Sequence, residues 1–174
     1  MADTPKPLVN RVAQSALITL DLEEYFPKEE DIAFIDLKDF LFKGLILREA
    51  DFRETVKATD WSQYQNKYVA IYCSNDAIIP MWAYMVLSAE LAPYANDVIN
   101  SHAQRAADAF LLRRLDRMDK EQFAGKRIVI KGCGERKIPE AAFVEITRQL
   151  SNIASSVMYG EPCSTVPVFK KSID

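Results

Sequence analysis

The alternation of apolar and polar positions predicts a series of short strands along the chain. Residues 16–23 alternate with a period of two, which is typical of a half-buried strand. Residues 32–36 predict a second strand, and the near-continuous apolar run 67–72 predicts a strand that is covered on both faces. Further strands are predicted at 97–100, 127–130, 156–159 and 165–169, the last as an edge strand because it contains a proline.

Apolar residues spaced three or four apart predict helices between these strands. The first predicted helix begins near Arg48, and the next three cover 80–94, 104–118 and 139–154. The second is apolar almost all round, which predicts a well-buried helix. The alternation of strands and helices favours an α/β fold with a mostly parallel sheet and helices on both faces, preceded by an N-terminal strand-rich extension.

A shift of 59 residues brings two segments of the chain into register without a gap. Residues 67–84 then lie over 126–143, with identities at Lys67, Ile71, Ile79, Pro80 and Ala83. The match indicates either an internal repeat or the general likeness of any two β–α units. Both interpretations predict the same local structure, which is a strand, a short loop and a helix opened by proline.

Length and composition are those of a soluble globular protein. The chain has 174 residues, of which 49% are apolar and 27% charged, and this predicts one α/β domain over 11–174 after a flexible tail at 1–10. A net charge of −3 argues against general nucleic-acid binding. No run reaches the roughly 18 apolar residues of a membrane helix, and no secretory signal precedes the first strand, so we expect a cytoplasmic protein without membrane contact.

The cysteines provide the main candidate chemistry. Cys73, Cys133 and Cys163 each follow a predicted strand, and His102, the only histidine, follows another. If the strands are parallel, all four residues lie at the carboxyl edge of one sheet, where ligands of open α/β sheets bind. Three of the five glycines, Gly132, Gly134 and Gly160, lie within three residues of a cysteine and would allow a close approach of the backbone to a guest.

Three interpretations of the cysteines stay open, and with them the question whether the protein is an enzyme. The first is a metal site in which Cys73, Cys133 and Cys163, with His102, Glu161 or water as a fourth ligand, hold zinc or an iron–sulfur cluster. The second is a reactive thiol at Cys133 or Cys73, with His102 as the base. The third is an interaction protein in which the cysteines only pack.

Two carboxylates occupy equivalent positions of the candidate repeat. Asp76 and Glu135 each precede a predicted helix. We favour helix capping for both over a role in general acid or base chemistry.

Several segments together resemble a known family. They are VNRVAQSALITLDLEEYF, DLKDFLFKGLILREADFRE, YVAIYCSNDAIIPMWAY, RIVIKGC and GEPCSTVPV. The chain is similar, over about Leu8 to Lys171, to domain-of-unknown-function family 2480, a group of small cytosolic bacterial proteins. The family motifs contain Cys73, Asp76, Cys133, Glu161, Cys163, Ser164 and Thr165, whereas His102 lies outside them.

The resemblance implies a role but no defined activity. It implies an accessory factor with a protein partner in iron–sulfur assembly, which fits a metal or iron–sulfur species bound through three cysteines. Residue roles do not follow from this association. The sequence leaves the oligomeric state open, a homo-oligomer included.

Overall fold

Strands and helices alternate along the part of the chain that the computed structural model describes, which is 17–132, 134–161 and 163–171. The strands are β1 (Leu17–Leu20), β2 (Ile32–Asp36), β3 (Tyr68–Tyr72), β4 (Asp97–Asn100), β5 (Arg127–Ile130), β6 (Ser156–Glu161) and β7 (Ser164–Lys170). The α-helices are α1 (Glu49–Ala58), α2 (Met81–Leu91), α3 (Ala103–Arg117) and α4 (Glu140–Leu150). The predicted flexible tail at 1–10 lies outside the described residues.

The strands form two sheets rather than one. One sheet has the order β2-β3-β4 and is entirely parallel. The other has the order β1-β5-β6-β7, with only β7 antiparallel to its neighbour. The predicted mixed α/β fold with mostly parallel strands is therefore confirmed, and so is the edge position of β7.

Each sheet belongs to its own compact unit. The central unit is Tyr25–Arg114, and the terminal unit combines Met1–Glu24 with Leu115–Asp174. Compactness does not decide whether the two units fold separately, so one domain over 11–174 stays a prediction.

The two units repeat the same strand, helix and strand with an offset of 59 residues. Helix α2 begins at Met81 and α4 at Glu140. Ile71 pairs with Asn100 in the central unit, as Ile130 pairs with Tyr159 in the terminal unit. The offset persists in the loops, where Asn66 N donates to Tyr94 O and Gly125 N donates to Ile153 O. The gapless match in the sequence is therefore a structural repeat.

The first strand of each sheet adds a further equivalence. β1 and β2 are each followed by a 3-10 helix, Leu22–Tyr25 and Leu37–Phe40. Leu22 and Leu37 are both fully buried. Each unit thus consists of an added strand, a central strand, a covering helix and a third strand, although in the terminal unit the added strand comes from the other end of the chain.

Helices cover both faces of the central unit's sheet. On one face Ala83, Leu87 and Leu91 of α2 are fully buried at a spacing of four residues and belong to a core that includes Val69 and Ile71. On the opposite face Ala106 and Phe110 of α3 pack with Ala70 and Ile99. Full burial of a leucine side chain stabilises by about 1.5–3 kcal/mol, so these contacts hold the sheet between its helices.

The sequence placed most element centres correctly but misjudged some ends. The first strand was expected over 16–23 but ends at Leu20, because Asp21 accepts a hydrogen bond from Glu23 N and starts the 3-10 helix. The expected burial of the second helix is wrong, since Met81 and Met85 are each 70% exposed. An apolar composition all round a helix cannot show which face is left without a neighbour.

Candidate functional site

A small polar cavity opens at the carboxyl ends of β3 and β4 in the central unit. It has a volume of about 330 Å³, and we call it the thiol cavity. Its lining residues are Tyr72, Cys73, Asn75, Ala77, Ile79, Met81, Tyr84, Asn100 and His102. The two strands are adjacent and parallel, so their ends meet at one edge of the sheet, where ligands of such folds bind.

The loop that carries Cys73 is held by hydrogen bonds from the side chains around it. Asp36 accepts from the backbone N–H of Ser74 at 3.0 Å and from that of Lys38 at 3.0 Å. Burial opposes ionisation of Asp36, but the hydrogen bonds from Ser74 and Lys38 prevail and lower the pKa of this carboxyl group. Asn75 Nδ2 donates to Gly44 O at 2.9 Å and fixes the next residue of the loop.

Six of the residues that line this cavity have polar side chains, and Cys73, Tyr84, Asn100 and His102 are four of them. The Cys73 thiol lies 3.4 Å from the carbonyl oxygen of Asn75, which accepts its weak hydrogen bond. Asn100 Nδ2 donates to Ile71 O at 3.0 Å. The His102 ring lies 5.8 Å from the ring of Tyr72, centroid to centroid. The cavity therefore combines a nucleophile, an imidazole and an amide.

Tyr84 is the fourth of these polar groups. Its partial burial raises the pKa of the phenol above the ordinary value, negative charge on Cys73 raises it further, and a hydrogen bond with Asn100 opposes both effects. The phenol stays protonated at neutral pH and can donate a hydrogen bond to a guest.

The terminal unit carries a larger opening at the equivalent place, which we call the apolar groove. Its volume is about 1100 Å³. Seven of its lining residues lie 59 positions after residues that line the thiol cavity: Gly132, Gly134, Arg136, Ile138, Glu140, Phe143 and Tyr159. The same place in the fold thus holds a polar pocket in one repeat and a mainly apolar groove in the other.

The glycines near this groove make room for other atoms of the protein, side chains at Gly132 and Gly134 and the backbone at Gly160. A Cβ atom at Gly132 would lie 2.4 Å from the Tyr159 ring, and one at Gly134 would lie 2.1 Å from Glu23 Oε1. Gly160 has φ +122°, and a Cβ atom there would lie 2.5 Å from Ser164 O. These internal contacts give a reason for glycine at the three positions, and Gly132 and Gly134 also line the apolar groove, so their approach to a guest stays a prediction.

Charged side chains gather beyond the ends of β1 and β5 in the terminal unit. Lys131 Nζ lies 2.6 Å from Asp21 Oδ2, and this hydrogen bond and ion pair, aided by the charges of Glu161 and Glu23, raise the pKa of Lys131. Glu23 Oε1 also accepts from Arg136 N at 2.5 Å. These contacts tie the first strand's loop to the loop after β5.

Two members of the predicted metal set lie at one place in the structure. Cys73 and His102 line one cavity, although His102 lies outside the family motifs. Cys163 is exposed in the turn between β6 and β7, and Cys133 lies outside the described residues. The expected single sheet edge is wrong for Cys73 and Cys163, because β3 and β6 belong to different sheets.

No group of three or more His, Cys, Asp or Glu side chains that could hold a metal ion occurs within 17–132, 134–161 and 163–171. Glu161 ends β6, and its Oε1 is buried without a hydrogen-bond partner among those residues. Ser164 and Thr165 begin β7, opposite Glu161 and Gly160. Neither residue lines the thiol cavity or the apolar groove.

The capping role expected for Asp76 and Glu135 is wrong. Helices α2 and α4 begin directly after Pro80 and Pro139, and neither N-cap receives a side-chain hydrogen bond. Asp76 is exposed and does not line the thiol cavity, whereas Glu135 lines the apolar groove. Asp76 and Glu135 each lie four residues before the proline at the N-cap.

Sequence reasoning missed Tyr84 and Asn100. Tyr84 lies in a helical pattern that is typical of a core residue, and it does pack, partly buried, against the core. Asn100 is the last residue of a predicted strand. The position of Asn100 in the chain could have indicated its place in the site. It ends a strand that pairs with the strand preceding Cys73, so both residues lie at the same edge of the sheet.

Together these observations define a class: a duplicated α/β protein with a thiol-containing polar cavity in one repeat and an apolar groove in the other. The chain belongs to the family described as protein of unknown function DUF2480, whose sequence model matches residues 6–171. No curated protein and no solved structure matches the chain. Among the described residues, no helix is long and apolar enough to cross a membrane.

Proposed function

We propose that the protein acts through the Cys73 thiol on a small polar ligand bound in the thiol cavity. The observation that carries this proposal is that Cys73, Tyr84, Asn100 and His102 line one pocket of about 330 Å³. A volume of this size admits a ligand of a few heavy atoms beside the sulfur.

Each polar group has a defined task in this proposal. The imidazole of His102 takes the proton of Cys73, and the resulting thiolate adds to a carbonyl carbon of the ligand. The carbon–oxygen π bond breaks as the carbon–sulfur bond forms, and the oxygen receives the proton from the imidazolium. The phenol of Tyr84 donates a hydrogen bond to an oxygen of the ligand, and Asn100 orients the phenol. Asp36 keeps the Cys73 loop in place through Ser74.

Selective alkylation tests this function. The native protein is treated with iodoacetamide between pH 6 and 9, and each cysteine is quantified by peptide mass spectrometry. Because reactivity follows the thiolate fraction, we expect His102→Gln to slow labelling of Cys73 at neutral pH several-fold. Labelling of the exposed Cys163 serves as the internal control and should not change. A Cys73 rate that His102→Gln leaves unaltered would count against the proposal.

A metal or iron–sulfur function is the second candidate. Its support is that a thiol and an imidazole, both zinc ligands, line the same cavity. In this candidate, Cys133 and Cys163 are further metal ligands. The family resemblance adds a protein partner in iron–sulfur assembly. This candidate requires further ligands beyond the described pair of Cys73 and His102.

Metal analysis distinguishes this candidate from the first. Protein purified without oxygen should then contain near-stoichiometric zinc or iron, with cysteine-dependent visible absorbance in the case of iron. Cys73→Ser and His102→Gln should each lower the metal content, while Asp76→Asn should not. Metal well below stoichiometry in the parent protein would reject the metal function and leave the thiol proposal standing.

A further inference from the structure

A third cavity lies at the amino ends of β5 and β6 in the terminal unit. Its volume is about 480 Å³, and we call it the cationic cavity. It is lined by Arg127, Ser155, Ser156, Met158, Pro167, Phe169, Lys170 and Lys171. It is separate from the apolar groove, with which it shares no lining residue.

Strand pairing fixes the polar residues of this cavity in a row. Arg127 pairs with Ser156 across β5 and β6, and Ser156 pairs with Lys170 across β6 and β7. Directly paired residues point to the same face of a sheet, so Arg127 and Lys170 lie on either side of Ser156. Neighbouring strands are about 5 Å apart, which sets the spacing between these residues. Lys171 N donates to Ser155 O at 2.9 Å and holds the third cation beside the row.

The charges of this row are unbalanced. No carboxylate lines the cationic cavity, and none of Arg127, Lys170 and Lys171 makes an ion pair within the described residues. The Ser156 hydroxyl is buried and has no hydrogen-bond partner in the same part of the chain. Three cations around an unsatisfied hydroxyl are unexpected in a chain whose net charge is −3.

The other repeat indicates what is missing. Ser156 lies 59 positions after Asp97, at the equivalent first residue of its strand. Asp97 is only 8% exposed, and its Oδ2 lies 3.0 Å from Arg113 Nε. At this place the central unit therefore holds a carboxylate of its own chain against an arginine. The terminal unit has the cations, with a serine in place of the carboxylate.

We infer that the cationic cavity binds an external oxyanion, the phosphate or carboxylate group of a small molecule, at the place that the Asp97 carboxylate occupies in the other repeat. Arg127 and Lys170 contact the anion, and Ser156 donates its hydroxyl hydrogen. The apolar part of the molecule lies on Met158 and Pro167, which pair with each other on the same face as Ser156. Nothing in this inference depends on the thiol cavity.

Three probes with the same aromatic end test the inference on the full chain at constant ionic strength. Phenyl phosphate and 3-phenylpropanoate carry the two oxyanions, and 3-phenylpropanol carries none. Binding is measured by calorimetry or NMR. We expect at least one of the two anions to bind saturably, and the alcohol to bind at least about tenfold more weakly. The stronger anion identifies the preferred oxyanion.

Two substitutions locate the binding. Arg127→Gln should lower the affinity for the anion at least about tenfold. Arg105→Gln, which removes the same charge from an exposed site on α3, should leave the affinity unchanged. Ser156→Asp supplies the carboxylate covalently, so it should abolish anion binding and raise the Tm of the free protein. Ser88→Asp, at an exposed position of α2, should do neither.

The inference is overturned if no probe binds saturably at concentrations up to about 10 mM, a range that covers weak, millimolar binding. Equal binding of the alcohol, or equal effects of Arg127→Gln and Arg105→Gln, would also overturn it. If Ser156→Asp fails to fold, the comparison of Arg127→Gln with Arg105→Gln alone decides whether the inference holds.

Discussion

Asp36 shows how one side chain links the fold to the candidate site. It is the N-cap of the 3-10 helix after β2, and it also accepts from Ser74 N, the residue that follows Cys73. One carboxylate thus satisfies two backbone donors that lie 36 residues apart, at Lys38 and Ser74. The position of the thiol depends on a residue that carries no chemistry itself.

We predict that Asp36→Ala lowers the free energy of unfolding by about 1 kcal/mol, as expected for loss of a cap, and alters the alkylation rate of Cys73. Asp60→Ala is the matched control, since Asp60 caps the 3-10 helix Trp61–Tyr64 in the same way and does not line the thiol cavity. An unchanged Cys73 rate in Asp36→Ala would show that the loop does not need this support.

The stability difference at Asp36 should also depend on pH. The folded protein lowers the pKa of this carboxyl group below its ordinary value of 3.8, so its stabilising effect is complete above that value and is lost as the pH falls through the folded pKa. Urea unfolding of the parent and Asp36→Ala proteins between pH 2.5 and 6 measures this difference. A gap that widens on acidification would contradict the assignment.

Gly160 and Gly125 allow a matched test of backbone strain. Both have positive φ, +122° and +66°, but a Cβ atom at Gly125 meets nothing within 4 Å, whereas one at Gly160 meets Ser164 O at 2.5 Å. We predict that Gly125→Ala costs about 1 kcal/mol, and that Gly160→Ala costs clearly more because the β6–β7 hairpin must also shift. Denaturant midpoints measure both, and equal losses would refute the predicted clash.

At the scale of elements, the covering helices α2 and α4 divide their side chains in the same way. Leu87 and Ile146 occupy equivalent positions and are fully buried, whereas the equivalent Met85 and Val144 are each 70% exposed. The hydrophobic composition of Met81–Leu91 alone could not show this division, because apolar residues occur on every face of the helix. Contact with the sheet selects the face that is buried.

We predict that Leu87→Ala and Ile146→Ala each lower the free energy of unfolding by about 2–5 kcal/mol. Met85→Ala and Val144→Ala, as size-reducing controls on the opposite faces, should change it by less than about 0.5 kcal/mol. Chemical denaturation of the four variants tests this. A large loss in either control would mean that the exposed face is covered in solution.

At the scale of the whole molecule, duplication organises the architecture. Two sheets repeat the same register with an offset of 59 residues, and their carboxyl-edge openings differ in the side chains that line them. The repeat also makes each unit a reference for the other. Asp97 is paired with Arg113, whereas the equivalent Ser156 hydroxyl has no hydrogen-bond partner within the described part of the chain, and this contrast is the basis of the anion site inferred above.

The repeat predicts a matching pattern of hydrogen exchange. β3 and β5 are each paired on both sides, and their residues Val69–Ile71 and Ile128–Ile130 are almost completely buried. We expect their amides to exchange more slowly than those of the edge strand β7, as measured by exchange and mass spectrometry. Exchange in β5 as fast as in β7 would contradict the two-sided pairing of the central strands.

The sequence by itself determined the local elements and the family, and it offered the repeat as one of two interpretations. Ile32–Asp36, Asp97–Asn100 and Arg127–Ile130 follow from their patterns, because strand period and propensity act between near neighbours. It also located Cys73 and His102 at the ends of strands. The strands and their ends depend on residues that are close in the chain.

Only the tertiary structure decided how these elements combine. Pairing separated the strands into two sheets, so Cys73 and Cys163 follow strands of different sheets, while Tyr84 and Asn100 joined Cys73 in one cavity. It also set Ser156 between Arg127 and Lys170. Strand order and register depend on contacts between distant residues, and similar apolar patterns along the chain are compatible with several such arrangements.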